Sequence, residues 1–108
     1  SSWHSRVKGA LPPLPVSSYT GTYRNPIYGP INISAGKKAG QLFIRFEGHA
    51  DLTATLSWMD NDEWLLEYTN IEYGIFKVKF RTQGNKVSGI ELRANEFVEY
   101  DAYDFVKQ

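Results

Sequence analysis

The chain has no cysteine, which excludes disulfide frameworks, iron–sulfur clusters and cysteine-based zinc sites. It also has no charge imbalance, since twelve Lys and Arg are matched by twelve Asp and Glu. With no net field to steer association, neither nucleic acid nor an anionic membrane surface is an expected partner. No stretch approaches the ~20 consecutive apolar residues of a membrane helix, so no membrane insertion is expected. Internal repeats and low-complexity runs are missing as well. The polar start, Ser1-Ser2-Trp3-His4-Ser5-Arg6, does not read as a signal peptide. The lack of cysteine leaves the compartment open.

What is present is enough for one globular domain. About 42% of the 108 residues are apolar, and a chain of this size buries roughly two-thirds of its unfolded surface. Residues 1–18 read apart from the rest. Leu11-Pro12-Pro13-Leu14-Pro15 favours an extended, polyproline-like path and cannot join a central strand. The segment therefore reads as a tether, and a tether implies a further part upstream. Trp3 and Val7, four residues apart, fit either the end of a helix from that part or a frayed tail.

From Tyr19 onward the period is two. Leu42, Ile44 and Phe46 share one face; Gln41, Arg45 and Glu47 share the other. Leu52, Ala54, Leu56 and Trp58 alternate with Asp51, Thr53, Thr55 and Ser57. Phe76, Val78 and Phe80 alternate with Lys77, Lys79 and Arg81, which predicts three inward apolar residues and three outward cations. Half-buried antiparallel strands have this pattern. Turn signals stand at Gly36-Lys37-Lys38-Ala39-Gly40, Gly48-His49, Asp60-Asn61-Asp62, Gly84-Asn85 and Asn95. Strands are predicted over 19–24, 28–35, 41–47, 52–59, 63–68, 73–82, 86–94 and 97–106. Connections this short pair sequential neighbours, and closure removes exposed edges. The fold expected for residues 19–108 is all-β: a small eight-stranded antiparallel up-and-down barrel.

The densest motif is Tyr19-x-Gly21-x-Tyr23-x-Asn25-Pro26-x-Tyr28-Gly29. Gly21 within a strand suggests a sharp bend or a close chain approach, and Asn25-Pro26 starts a turn. Each tyrosine can put its ring into a barrel end and its hydroxyl toward a partner, so barrel closure and ligand contact both fit. The motif resembles the start of the lipocalin-like C-terminal domain of β-lactamase-related serine hydrolases. Gly84-Asn85-Lys86-Val87-Ser88-Gly89-Ile90 is similar to that domain's penultimate hairpin, and Asp104-Phe105 to its closing strand. The resemblance covers about residues 11–107. It implies an accessory domain joined to the catalytic domain of a bacterial hydrolase that acts on peptides, esters or β-lactam-like amides. It further implies a periplasmic or extracellular setting.

Several constellations imitate chemistry. Ser5-x-x-Lys8 spells the nucleophile motif of such hydrolases, and Tyr23-Arg24-Asn25 and Tyr68-Thr69-Asn70 spell a second one. With eight serines and seven lysines, about 0.5 Ser-x-x-Lys spellings are expected by chance in a chain this long. A serine nucleophile needs a helix-borne lysine beside it and oxyanion donors, which a polar tail ahead of prolines does not provide. His49 and Asp51 imitate two triad members, with no serine placed to complete them. Asp60-Asn61-Asp62-Glu63 is acidic, but a calcium loop would need Gly where Leu65 stands, so it reads as a hairpin turn. Glu96, Glu99, Asp101 and Asp104 make the last strand acidic; Lys77, Lys79, Arg81 and Lys86 make an earlier hairpin basic. Cross-strand pairing or solvated faces account for both. No catalytic residue, metal or cofactor is expected in this domain.

The aromatics are the stronger signal. Trp58, Trp64, Tyr68, Tyr73, Phe76, Phe80, Phe97 and Tyr103 are many for so small a barrel. An eight-stranded barrel is either filled by side chains or holds one small ligand. Tyr23, Tyr28, Trp58, Trp64, Tyr68 and Tyr73 are the candidate ligand or interface residues. Two functions are then expected from the sequence. One is a non-catalytic accessory domain that docks on a serine-hydrolase domain of the same chain, shapes access to its site or builds a homo-oligomer. The other is an independent carrier of a small apolar ligand.

Overall fold

The computed structural model describes residues 3–49, 51–96 and 99–108, without the side chains of 94–96 and 99–101. Its core element is a nearly closed barrel of nine antiparallel strands. In chain order these are β1 (Gly21–Asn25), β2 (Gly29–Ala35), β3 (Gln41–Phe46), β4 (Thr53–Trp58), β5 (Trp64–Tyr68), β6 (Ile75–Val78), β7 (Phe80–Gln83), β8 (Lys86–Glu96) and β9 (Glu99–Lys107). Around the sheet the order is β6-β5-β4-β3-β2-β1-β9-β8-β7.

The ninth strand comes from a division of the one predicted over 73–82. β6 pairs with β5, whereas β7 pairs with β8. The chain therefore crosses from one sheet edge to the other at Lys79 without a loop, and this crossing closes most of the barrel. The predicted alternation holds through it: Phe76, Val78 and Phe80 pack on the core, and Lys77, Lys79 and Arg81 are exposed. Burying three cations would have been the result of a one-residue slip. Two smaller differences concern strand ends. β8 runs through Asn95 to Glu96, and Tyr19 belongs to a four-residue helix, α1 (Val16–Tyr19), rather than to the first strand. Phe97 lies outside the described residues, as do the side chains of Glu96, Glu99 and Asp101.

Inward positions follow from register. Ile31 and Ile33 on β2, Leu42 and Ile44 on β3, Leu56 on β4 and Leu66 on β5 are fully or almost fully buried. The β4–β5 turn has positive φ at Asn61 (50°) and Asp62 (61°), the backbone twist that joins adjacent antiparallel strands most tightly. Asn and Asp tolerate that conformation because their short polar side chains hydrogen-bond locally.

The segment that reads as a tether lies against the barrel over its described part. One turn of 3-10 helix spans His4–Arg6. Arg6 pairs with Asp60 and, at 2.7 Å, with Glu63. His4 Nε2 is 3.0 Å from Glu67, and the Lys77 ammonium lies 5.9 Å from the centroid of the Trp3 ring. Further on, Pro12 is buried, and Leu14 and Val16 pack on the core. A consequence shows on β5. Trp64 and Leu66 point inward, so Leu65 points out, yet it is 0% exposed. Its register partner is Lys77, on which Trp3 sits. The outer face of β5 is thus covered by the N-terminal segment.

Candidate functional site

The six candidate aromatic residues separate into two groups at opposite ends of the barrel. Short β2–β3, β4–β5 and β7–β8 turns mark the first end; the β1–β2, β3–β4 and β5–β6 connections mark the second.

At the first end, α1 crosses the opening and inserts Tyr19. Its ring stands 5.1 Å from Trp64 and 4.9 Å from Phe80, and Trp64 lies edge-on to Trp58 at 5.4 Å and to Phe80 at 5.5 Å. Such tilted and edge-to-face pairs bring the positive ring edge to a negative ring face. Tyr23 is fully buried below them, and its hydroxyl donates to the Tyr19 carbonyl at 2.6 Å. Burial raises the Tyr23 hydroxyl far above the usual phenol range. This end is a plug, and Tyr23, Trp58 and Trp64 close the barrel.

At the second end, Tyr28 stacks edge-on with Tyr103 at 4.5 Å and lies 5.9 Å from His49. Tyr68 faces Tyr73 at 5.7 Å, Phe46 at 6.2 Å and Phe76 at 6.5 Å. The Tyr68 hydroxyl crosses the interior to donate to the Arg93 carbonyl at 2.9 Å. Between these rings remains a cavity of about 20 Å³, lined by Tyr28, Phe46, Leu52, Tyr68, Tyr73, Leu92, Arg93, Tyr103 and Phe105. One water fills such a space, whereas small-molecule sites measure ~300–1,000 Å³. The rim carries exposed isoleucines. Ile27 in the β1–β2 turn is 77% exposed, Ile71 in the β5–β6 connection 89%, and Ile75 40%.

The dense tyrosine motif serves this geometry through Asn25. Its Oδ1 accepts from the Ile27 and Tyr28 N–H groups at 2.8 and 3.0 Å, and its Nδ2 donates to the Asp104 carbonyl at 2.8 Å. One side chain thereby forms the turn, ties β1 to β9 and presents Ile27 and Tyr28 at the rim. Gly21 has φ of 135°, a conformation open to glycine alone in practice. His49 and Asp51 are exposed. Ser5 and Lys8 are exposed too, with Ser5 on the one-turn 3-10 helix.

Sequence reasoning missed the carboxylate clamp on Arg6. Hydrogen bonding to Arg6 holds the Asp60 and Glu63 carboxyls below their ordinary range. Groups with depressed folded pKa values contribute stability that is present above their unfolded values and lost as pH falls through the folded ones. The N-terminal segment should therefore stay docked at neutral pH and loosen below about pH 4. Nuclear magnetic resonance of the Arg6 Nε–H group would follow this release. Arg6→Ala should loosen residues 3–8 already at pH 7, while the barrel still melts cooperatively. An unchanged segment in that variant would refute the clamp.

The geometry defines a nearly closed β-barrel with aromatic rings packed at both ends. The family model described as Domain of unknown function (DUF3471) matches residues 5–107, and the chain belongs to that family. The match includes most of the N-terminal segment that lies on the barrel. No curated protein and no solved structure matches the chain.

Proposed function

We propose that this lipocalin-like barrel is a non-catalytic accessory domain of a β-lactamase-related serine hydrolase, docking on its catalytic domain through the second end. The observation that carries this reading is the combination found there: almost no internal space, and three exposed isoleucines, Ile27, Ile71 and Ile75, around partly buried tyrosines. A barrel end with almost no internal space and exposed isoleucines at its mouth is suited to meeting a surface. Docking there would shape substrate access or hold an oligomer together. The same small cavity counts against the carrier of a small apolar ligand.

Residues 1–108 alone should not hydrolyse p-nitrophenyl esters or a chromogenic β-lactam above a buffer control. Acyl transfer needs a nucleophile, a base and oxyanion donors held together, and Ser5 sits on a single exposed helical turn. In the full-length parent, Ile27→Asp combined with Ile71→Asp should change substrate preference or oligomeric size and leave labelling of the nucleophile intact. Kinetics and size equal to the unmodified parent would sink the docking role. Saturable quenching of tryptophan fluorescence by a fatty acid at micromolar concentration would favour the carrier.

A further inference from the structure

The chain carries no net charge, but its charges are unevenly placed. Four connections meet at the second end: residues 26–28, 47–52 and 69–74, and the β8–β9 hairpin, whose last ladder pair sets Glu96 against Glu99. These connections contain five acidic residues, Glu47, Asp51, Glu72, Glu96 and Glu99, and no lysine or arginine. His49 is their one basic residue. Glu47, Asp51 and Glu72 are exposed, and among the described residues no cation of the chain stands within ion-pair distance of them. The strand cations closest to this end are engaged elsewhere: Lys77 with Glu63, Arg93 with Glu91, and Arg45 over the Phe43 ring, back along β3. Arg24 faces out from the wall of β1, opposite the buried Tyr23 and Asn25. The first end differs. Its turns and their borders mix Lys37, Lys38 and Lys86 with Asp60, Asp62 and Glu63.

The acids share the second end with its apolar groups. Ile27, Ile71 and Ile75 are exposed there, and Tyr28, Tyr73 and Tyr103 are half-buried. Protein interfaces join an apolar middle to a polar rim, and charge on the rim selects the partner more than it adds affinity. Carboxylates that stay solvated cost nothing while the end is free, yet they repel a surface of the same sign. A two-fold contact between copies through this end would set five acidic residues against the same five. The first end of another copy is a poor match as well, because it presents Asp60 and Asp62 along with its lysines.

We propose that the second end docks a cationic protein surface with an apolar centre, and that its acids exclude a second copy of the same end. Lysines or arginines of the partner would meet Glu47, Asp51 and Glu72, around side chains that cover Ile27 and Ile71. This partner chemistry rests on docking at the second end and adds to it which surface is accepted.

The probe is an acetylated and amidated peptide of three Leu-Lys-Lys-Leu repeats, titrated into the whole chain and followed by amide shifts. Shifts should gather in residues 26–28, 47–52 and 69–74, and affinity should fall several-fold as salt screens the contact. A Leu-Glu-Glu-Leu peptide of equal length should not bind, and a Ser-Lys-Lys-Ser peptide should bind several-fold more weakly. Combining Glu47→Gln, Asp51→Asn and Glu72→Gln should weaken the Leu-Lys peptide several-fold without lowering the melting temperature, since all three side chains are exposed. Analytical ultracentrifugation at low salt should find no dimer that Ile71→Asp dissolves; such a dimer would overturn the exclusion of a second copy. Equal binding of the Leu-Lys and Leu-Glu peptides would overturn the cationic partner and leave docking at this end standing. Absence of Leu-Lys binding at millimolar peptide, or shifts confined to another face, would overturn it too. Docking itself fails by a different result, a parent unaffected by Ile27→Asp with Ile71→Asp.

Discussion

Trp64→Ala is expected to cost ~3–5 kcal/mol, a large part of the ~5–15 kcal/mol that holds a typical domain folded. Trp64 is only 2% exposed and makes ring contacts with Tyr19, Trp58 and Phe80. Its removal leaves a cavity under α1 that rigid strands cannot collapse to fill, so the lost transfer energy and the cavity cost add. Tyr19 would lose the wall it packs on, and α1 its anchor. Trp58 is half-buried at the edge of the same cluster, and Trp58→Ala should cost clearly less. Urea titrations of both variants check the order. A Trp64→Ala loss below about 1 kcal/mol would mean that the plugged end does not close the barrel.

Much of this core is legible in the sequence because strand burial has period two. The inward set on β3, β4 and β6 follows from alternation alone, as does the outward placement of Lys77, Lys79 and Arg81. What alternation does not show is where one long strand passes between two partners, so the division at Lys79 stayed hidden. A turn reading of Asn95 failed for a related reason: a residue common in turns is tolerated inside a strand whose neighbours pair well. The docked N-terminal segment leaves a signal on the strand it covers. Trp64-Leu65-Leu66 breaks the alternation, and a continuous apolar run marks a strand covered on both faces. Leu65 is buried although it faces outward, and the N-terminal residues that bring Trp3, His4 and Arg6 to β5 and β6 lie over this face.

The candidate site was legible by residue type rather than by place. Aromatic excess pointed to Tyr23, Tyr28, Trp58, Trp64, Tyr68 and Tyr73, but periodicity cannot tell one barrel end from the other. Turn positions can. Trp58 and Trp64 flank the Asp60-Asn61-Asp62 hairpin, whereas Tyr28 and Tyr68 border connections at the opposite end. The exposed Ile27 and Ile71 occur singly in polar surroundings, so only the fold shows that both stand on one rim.

Gly89→Ala is expected to cost ~1–3 kcal/mol, as overpacking does where the surroundings cannot yield. The need for glycine here is spatial: a Cβ would lie 2.6 Å from the Phe105 carbonyl oxygen and would meet the Arg81 guanidinium. Gly89 pairs with Arg81 on one side and Val106 on the other, beside the register shift between Arg81 and Thr82. Arg81 folds across it to reach Asp104 and, at 3.4 Å, the Phe105 carbonyl. The two obstacles differ in kind. A side chain on the surface swings away at little cost, whereas a carbonyl in a bonded strand moves only with its ladder. Adding Arg81→Ala to Gly89→Ala should therefore recover part of the lost stability and not all of it. Thermal melts of the two single variants and the double variant measure this directly. Full recovery would show that Arg81 alone crowds the site, and no loss in Gly89→Ala would show that β8 and β9 do not approach as closely as their register requires.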